Sequence, residues 1–254
     1  MTAIGEPFIE IDSTESTNTL AMRGASSREA LPGTVWFAHE QTAGKGQRGR
    51  VWQSEAGSSL AMSILLEAPW PDPAAAFPLS AATALACLDA IGETGMKGLS
   101  VKWPNDIYHI DRKLGGILIE NLVRGTRWTH AVVGIGINVN QTRFDPCLPN
   151  PASIHQATGR RLSPVSLART ICGRLGQRLE DLVDHGNEGT LREFNERLYG
   201  KGRPMTFRRG ESTFEAVVGK VLEDGCLVLD CAPPDRFRHG EVEWVVRTDE
   251  GYKG

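Results

Sequence analysis

The chain has 254 residues, 40% of them hydrophobic and 23% charged, with a formal net charge of −3. This length suits one catalytic domain with a small appendage, and no run of about 18 apolar residues is present to cross a bilayer. The N-terminus, MTAIGEPFIEID, lacks a secretion signal, and the net acidity argues against bulk nucleic-acid binding, so a cytoplasmic protein without membrane or nucleic-acid partners is expected.

Taken in chain order, Ser16 to Met22 reads as a capped helix start, because Ser16 or Thr17 can accept from the free amides of the first turn. Thr34 to Glu40 is rich in strand formers. It runs into a basic, glycine-rich segment, QTAGKGQRGRVW, expected to be an irregular loop. Ser59 to Glu67 reads as a buried strand, and Leu79 to Ile91 as a helix with Leu79, Ala82, Leu85 and Ala86 at helical spacing. Four short strands follow, at Leu99 to Lys102, Ile107 to Ile110, Gly116 to Leu122 and Thr129 to Asn138. The charged turn Asp111-Arg112-Lys113 joins the middle two. Gln141 to Pro151, with three prolines, predicts a surface loop. Val165 to Val183 carries an apolar stripe and predicts an amphipathic helix, with a second at about Thr190 to Leu198. Beyond Tyr199 the runs turn short and alternating, separated by Gly210, Gly225 and Pro233-Pro234, which predicts a small β-barrel. The expected division is 1–199 for the catalytic domain and 200–254 for the barrel. The five cysteines, Cys87, Cys147, Cys172, Cys226 and Cys231, show neither zinc-site nor disulfide spacing.

Three segments carry chemistry. Gly44-Lys45-Gly46-Gln47-Arg48-Gly49 fits GxGxxG, yet only nine residues separate it from the strand at Ser59, too few for the crossover helix of a dinucleotide fold. No GxxxxGK[ST] occurs. The segment therefore reads as a flexible flap, with Lys45, Arg48 and Arg50 presented to a phosphate or adenylate. In KWPND and KLGGILIE, Lys113 is followed by Gly115 and Gly116, which clear space for a ligand beside the backbone, and Asp106 is a candidate metal contact. In VVGIGINVN, Gly134 and Gly136 inside a strand predict a close approach. Asn138 offers an amide to a heterocycle or serves as a strand-end cap. Ser16, Thr17 and Asn18 suit a small polar head or a helix cap. Trp103 and Pro104 read as packing residues.

In this order, STN, QTAGKGQRGR, KWPNDI, KLGGILIE and GIGIN resemble the biotin protein ligase family from about Phe8 to Arg247. The resemblance implies an α+β fold: a mixed sheet of the class II synthetase-like type with helices on one side, and a C-terminal SH3-like barrel. It also implies a biotin-[acetyl-CoA-carboxylase] ligase activity. Biotin is activated by ATP and Mg²⁺ to biotinyl-5'-AMP and passed to a lysine of a biotin carboxyl carrier protein domain. By motif position Ser16, Thr17, Asn18, Gln41, Gly44, Trp52, Gly116 and Leu118 would contact biotin. Lys45, Arg48, Arg50 and Asn138 would contact the nucleotide. Lys113 would touch both and act in catalysis with Arg48, while Asp106 would meet Mg²⁺. Family members often carry arginine at the positions of Lys45 and Gln47, so Arg48 is expected to compensate and Gln47 to stand at the solvent edge. The chain leaves no room ahead of the catalytic domain for a helix-turn-helix, as in a monofunctional ligase. A lipoate or octanoate protein ligase, and a non-catalytic regulator that binds the adenylate, are the alternative readings. A homodimer through an open sheet edge is an allowed assembly.

Overall fold

The computed structural model describes residues 3–68, 76–248 and 251–253. Strand β1 (Phe8–Thr14) leads into α1 (Thr17–Ser27), β2 (Val35–Gln41), and the short β3 (Gly44–Lys45) and β4 (Val51–Trp52). Next come β5 (Ser59–Glu67), α2 (Phe77–Gly92), β6 (Leu99–Lys102), β7 (Asp106–His109), β8 (Arg112–Arg124) and β9 (Arg127–Asn138). Three helices follow, α3 (Ile154–Thr158), α4 (Pro164–His185) and α5 (Asn187–Glu196). The chain then forms β10 (Pro204–Arg209), β11 (Ser212–Val221), β12 (Leu227–Asp230), β13 (Arg236–Phe237), β14 (Glu243–Thr248) and β15 (Gly251–Lys253).

Seven strands make one mixed sheet in the order β1-β2-β5-β9-β8-β7-β6, parallel only between β1 and β2. Alternate residues of β2 serve opposite faces, as the period of two requires. Val35 and Phe37 join the main core beneath α2 and α4, while Trp36 joins Ala21 and Ala25 of α1 in a smaller cluster. Helices therefore cover both faces, not one. The near-continuous burial of β5, where eight of nine residues are inaccessible, follows from that double cover.

The described chain corrects three further expectations. The flap segment is partly regular: β3 and β4 pair Gly44 with Trp52 and Lys45 with Val51 around a tight turn at Gln47–Gly49. Strands β8 and β9 are long, because their pairing runs unbroken from Gly115 opposite Ile137 to Leu122 opposite His130, then past a bulge to Arg124 opposite Arg127. Ladder hydrogen bonds there outweigh the poor strand propensity of Asn121. The hairpin turn is Ile110-Asp111, so Lys113 lies within β8, opposite Tyr108. Its first turn residue, Ile110, sits at φ 53.

The last six strands form an antiparallel sheet, β13-β12-β11-β10-β14-β15, in keeping with the expected SH3-like barrel. It is fastened to the larger sheet through Trp103. The Trp103 indole donates to Gly225 O at 2.9 Å, and Trp244 Nε1 donates to Trp103 O at 3.0 Å. Trp103 is 2% exposed, so its packing role holds.

Candidate active site

Sheet register lays out the site. One row across the strands holds Ser63, Gly134 and Leu118, and the row two residues further along β9 holds Ala61, Gly136, Gly116 and Asp106. A side chain on either glycine would strike protein: at Gly134 the Asn18 amide, and at Gly136 the Trp52 indole, whose Cε2 lies 2.6 Å from the ideal Cβ position. The glycines thus seat Asn18 over the first row and Trp52 over the second. The close approach expected from the sequence exists, and its partners are these two side chains.

Above the first row, Ser16 is the N-cap residue of α1 in extended conformation, and its hydroxyl makes no capping bond. Gln41 fills that role from the end of β2. Its Oε1 accepts from the Thr17 amide at 2.8 Å and stands 3.1 Å from Thr17 Oγ1. Ser63 Oγ is 2.7 Å from Thr17 Oγ1 and 2.5 Å from Asn18 Oδ1. Asn18 Nδ2 donates to Glu120 Oε2 at 2.8 Å and lies 3.4 Å from Leu118 O.

At the second row Lys113 Nζ meets Asp106 Oδ1 at 2.6 Å, with the two side chains 34% and 20% exposed. Gly116 leaves room for the pair: its Cβ would lie 3.3 Å from Asp106 Oδ1 and 3.7 Å from Lys113 Nζ. Gly115 answers to Gly136 O of the neighbouring strand instead. Lys102 hangs beside the pair with its ammonium 3.2 Å from Tyr108 OH and 5.9 Å from the Trp244 ring. Burial pushes its pKa down from the ordinary 10.5 to about 8; Asp106 opposes the shift, and Lys113 and Arg50 reinforce it.

One cavity of about 750 Å³ joins these parts. It is lined by Ser16, Thr17, Asn18, Gln41, Trp52, Gly116 and Leu118, by Lys102, Asp106 and Lys113, and by Lys45, Arg48 and Arg50 of the flap. The loop from Phe144 to Pro151 and His239 to Trp244 of the barrel complete it. Arg48 sits in the left-handed region at φ 55, and its guanidinium occupies the space where a Cβ on Gly240 would go. Partial burial, then Arg48 and Arg50, hold the His239 imidazole below its ordinary pKa. Asn138 also lines the cavity, but its amide donates to Ala152 O at 3.0 Å, so it caps the strand end.

A model of the biotin/lipoate A/B protein ligase family matches residues 10–138, just over half of the chain. The chain belongs to this family. Among relatives of the biotin/lipoate ligases, the bifunctional ligase/repressor BirA of Bacillus subtilis is 32% identical over 232 residues, covering 89% of this chain and 70% of the relative. The biotin-[acetyl-CoA-carboxylase] ligase of Paracoccus denitrificans is 30% identical, with 85% of this chain and 91% of the relative covered. The fold matches that of the biotin protein ligase from Aquifex aeolicus solved with biotin and ATP, at a TM-score of 0.74 and 21% identity over 97% of each chain.

Three expectations for this biotin/lipoate ligase site change in the structure. Gly44 does not line the cavity; a Cβ there would meet Trp52 O and, at 2.9 Å, Gln41 Nε2, so it serves the ribbon's packing. Gln47 is no solvent-edge bystander: its Oε1 is buried in the cavity wall without a hydrogen-bond partner among the described residues. Asp106 is committed to Lys113, and no three His, Cys, Asp or Glu side chains group as metal ligands among the described residues. A Mg²⁺ beside Asp106 would take most of its ligands from the phosphates of the substrate and from water. Sequence reading gave no role to Ser63, Glu120, Lys102, Tyr108, His239 or Trp244, although Lys102 and Glu120 lie within the KWPND and KLGGILIE segments. Lys102 carried a signal, a lysine between Val101 and Trp103 in a short strand; the barrel residues carried none, since only tertiary contact brings them to the cavity.

Proposed function

We propose that this chain activates biotin with ATP to biotinyl-5'-AMP and transfers the biotinyl group to a lysine of a biotin carboxyl carrier domain. The observation that carries the reading is the Lys113–Asp106 pair at 2.6 Å, standing between the Thr17–Gln41 polar head and the arginine flap within one cavity. An acid whose ring lies at Thr17 and Gln41 and whose tail follows Trp52 brings its carboxylate to Lys113. Its carboxylate oxygen attacks the α-phosphorus, pyrophosphate leaves, and a mixed anhydride remains. The carrier amine then attacks the acyl carbon, losing a proton, and AMP departs.

Charge governs both steps. The Lys113 ammonium can touch a carboxylate and a phosphate oxygen together, offsetting the negative charge that builds in each transition state, and such fixed electrostatics commonly supplies the largest catalytic contribution. Asp106 orients the ammonium before substrate arrives. Arg48 and Arg50 face the polyphosphate from the flap, and the magnesium needed for pyrophosphate departure enters with ATP as part of the substrate. We place this chemistry in the cytoplasm, where ATP and the carrier are found together.

The test is acid-dependent ATP–pyrophosphate exchange with biotin and, separately, with lipoate, followed by transfer to an apo carrier domain read by mass. Biotin-dependent exchange and a biotinylated carrier are expected. Exchange driven by lipoate alone would assign the chain to the other branch of its family, and adenylate formed without transfer would make it a regulator.

A further inference from the structure

Glu120 has no part in the chemistry described above, yet its carboxylate, free of any cation within salt-bridge reach among the described residues, receives Asn18 Nδ2 at 2.8 Å. Both hydrogens of that amide are turned to protein acceptors, one to Glu120 and the other toward Leu118 O at 3.4 Å. Asn18 Oδ1 must therefore face Ser63. Ser63 is fully buried and carries a single hydroxyl hydrogen, with Asn18 Oδ1 at 2.5 Å and Thr17 Oγ1 at 2.7 Å. Because Asn18 Oδ1 has no hydrogen of its own, the Ser63 hydrogen goes there, and the Ser63 oxygen is left to accept from the Thr17 hydroxyl.

Hydrogen counting then sets the polarity of the pocket head. With the Ser63 hydrogen taken by Asn18, the 2.7 Å contact between the two hydroxyl oxygens needs the Thr17 hydrogen, which leaves the longer 3.1 Å approach of Thr17 Oγ1 to Gln41 Oε1 without it, so Thr17 shows lone pairs to the cavity. Gln41 spends Oε1 on the Thr17 amide at 2.8 Å, and its Nε2, which donates to no protein group among the described residues, is left as the donor beside it. An acceptor beside a donor complements a cyclic urea, which offers N–H next to C=O; a dithiolane ring offers neither. From this geometry we infer that Glu120, through Asn18 and Ser63, is a positioning residue that presets Thr17 to accept from a cyclic urea and so selects the ring of the acid substrate.

The inference rests on the biotin reading, and its test separates the two. Ser63→Ala, Glu120→Leu and Glu120→Gln are made in the full chain. Pyrophosphate exchange is measured over a range of biotin at saturating MgATP. Losing one preset neutral hydrogen bond should raise the KM for biotin about five- to tenfold in Ser63→Ala and Glu120→Leu. The kcat should stay within about twofold, since the lost contact is made equally in ground and transition states. Glu120→Gln keeps an acceptor for Asn18 and should restore the wild-type KM. A fault of folding alone would lower kcat through the active fraction and leave KM unmoved. If Glu120→Leu does not fold, Ser63→Ala, which removes one oxygen, is read in its place. A KM within twofold of wild type in the folded variants overturns the relay, as does Glu120→Gln behaving like Glu120→Leu. A wild-type chain without biotin-dependent exchange overturns the functional reading and the relay with it.

Discussion

Lys113 and Lys102 stand in one cavity under opposite electrostatic conditions, and their substitutions should diverge. Lys113 is held by Asp106 at 2.6 Å with both side chains partly exposed, so Lys113→Ala should change stability by less than about 1 kcal/mol. The same change should cost roughly 3 to 4 kcal/mol in the transition state, about two to three orders of magnitude in biotin-dependent exchange; near-normal exchange would remove Lys113 from catalysis. Among the described residues Lys102 has no carboxylate at contact distance, and burial lowers its pKa from 10.5 to about 8. Between those values the unfolded chain binds more protons than the folded one, so stability from this group rises with pH across the window and is lowest below pH 8. Lys102→Met should therefore raise Tm by roughly 2 to 4 °C at pH 7 and have little effect near pH 10.5. Calorimetry at the two pH values decides it, a lower Tm at pH 7 being the contrary result. The lysine's retention despite this cost fits its place on the cavity wall.

At the scale of elements, β9 works as a floor with two seats cut into it. Gly136 lies under the Trp52 indole, where an added Cβ would come within 2.6 Å of Cε2. Gly136→Ala should destabilise by about 1 to 3 kcal/mol through overpacking and swing the β3–β4 ribbon off the sheet. Combining it with Trp52→Ala should recover more than about 0.5 kcal/mol of that loss, because the two residues share one space. Urea unfolding of the four proteins in the cycle measures this coupling, and strict additivity would show that the glycine serves something else. Much of this was readable in advance. Strands β2 and β5 and helices α2 and α4 follow from apolar runs and helical spacing, and the glycines of VVGIGINVN announced a close contact. Sequence could not say who makes the contact, because Asn18 and Trp52 arrive from segments far away in the chain.

For the whole molecule, the small sheet is joined to the large one beside the cavity. Trp103, within KWPND, exchanges hydrogen bonds with Gly225 and Trp244, Tyr199 packs its ring 5.7 Å from that of Trp244, and Arg48 of the flap rests on Gly240. We propose the division at 199/200 as one of structure and not of independent action. A chain ended at Tyr199 would expose Trp103 and strip the flap of its rest. It should be slowed in both adenylate formation and transfer, and unchanged single-turnover rates in a folded truncated chain would refute this. The sequence by itself determined the family, the strand and helix runs with an appended barrel, and the set of polar and basic residues available for the chemistry, because local propensity and short-range motif spacing are carried by neighbouring residues; the mixed sheet followed only from what the family resemblance implies. Tertiary structure alone decided that helices cover both sheet faces, that Asp106 holds Lys113, that Glu120 reaches Thr17 through Asn18 and Ser63, and that the barrel closes the cavity. Each of these depends on contacts between residues distant in the chain, whose geometry is set by strand register and packing and leaves no periodic trace in the sequence.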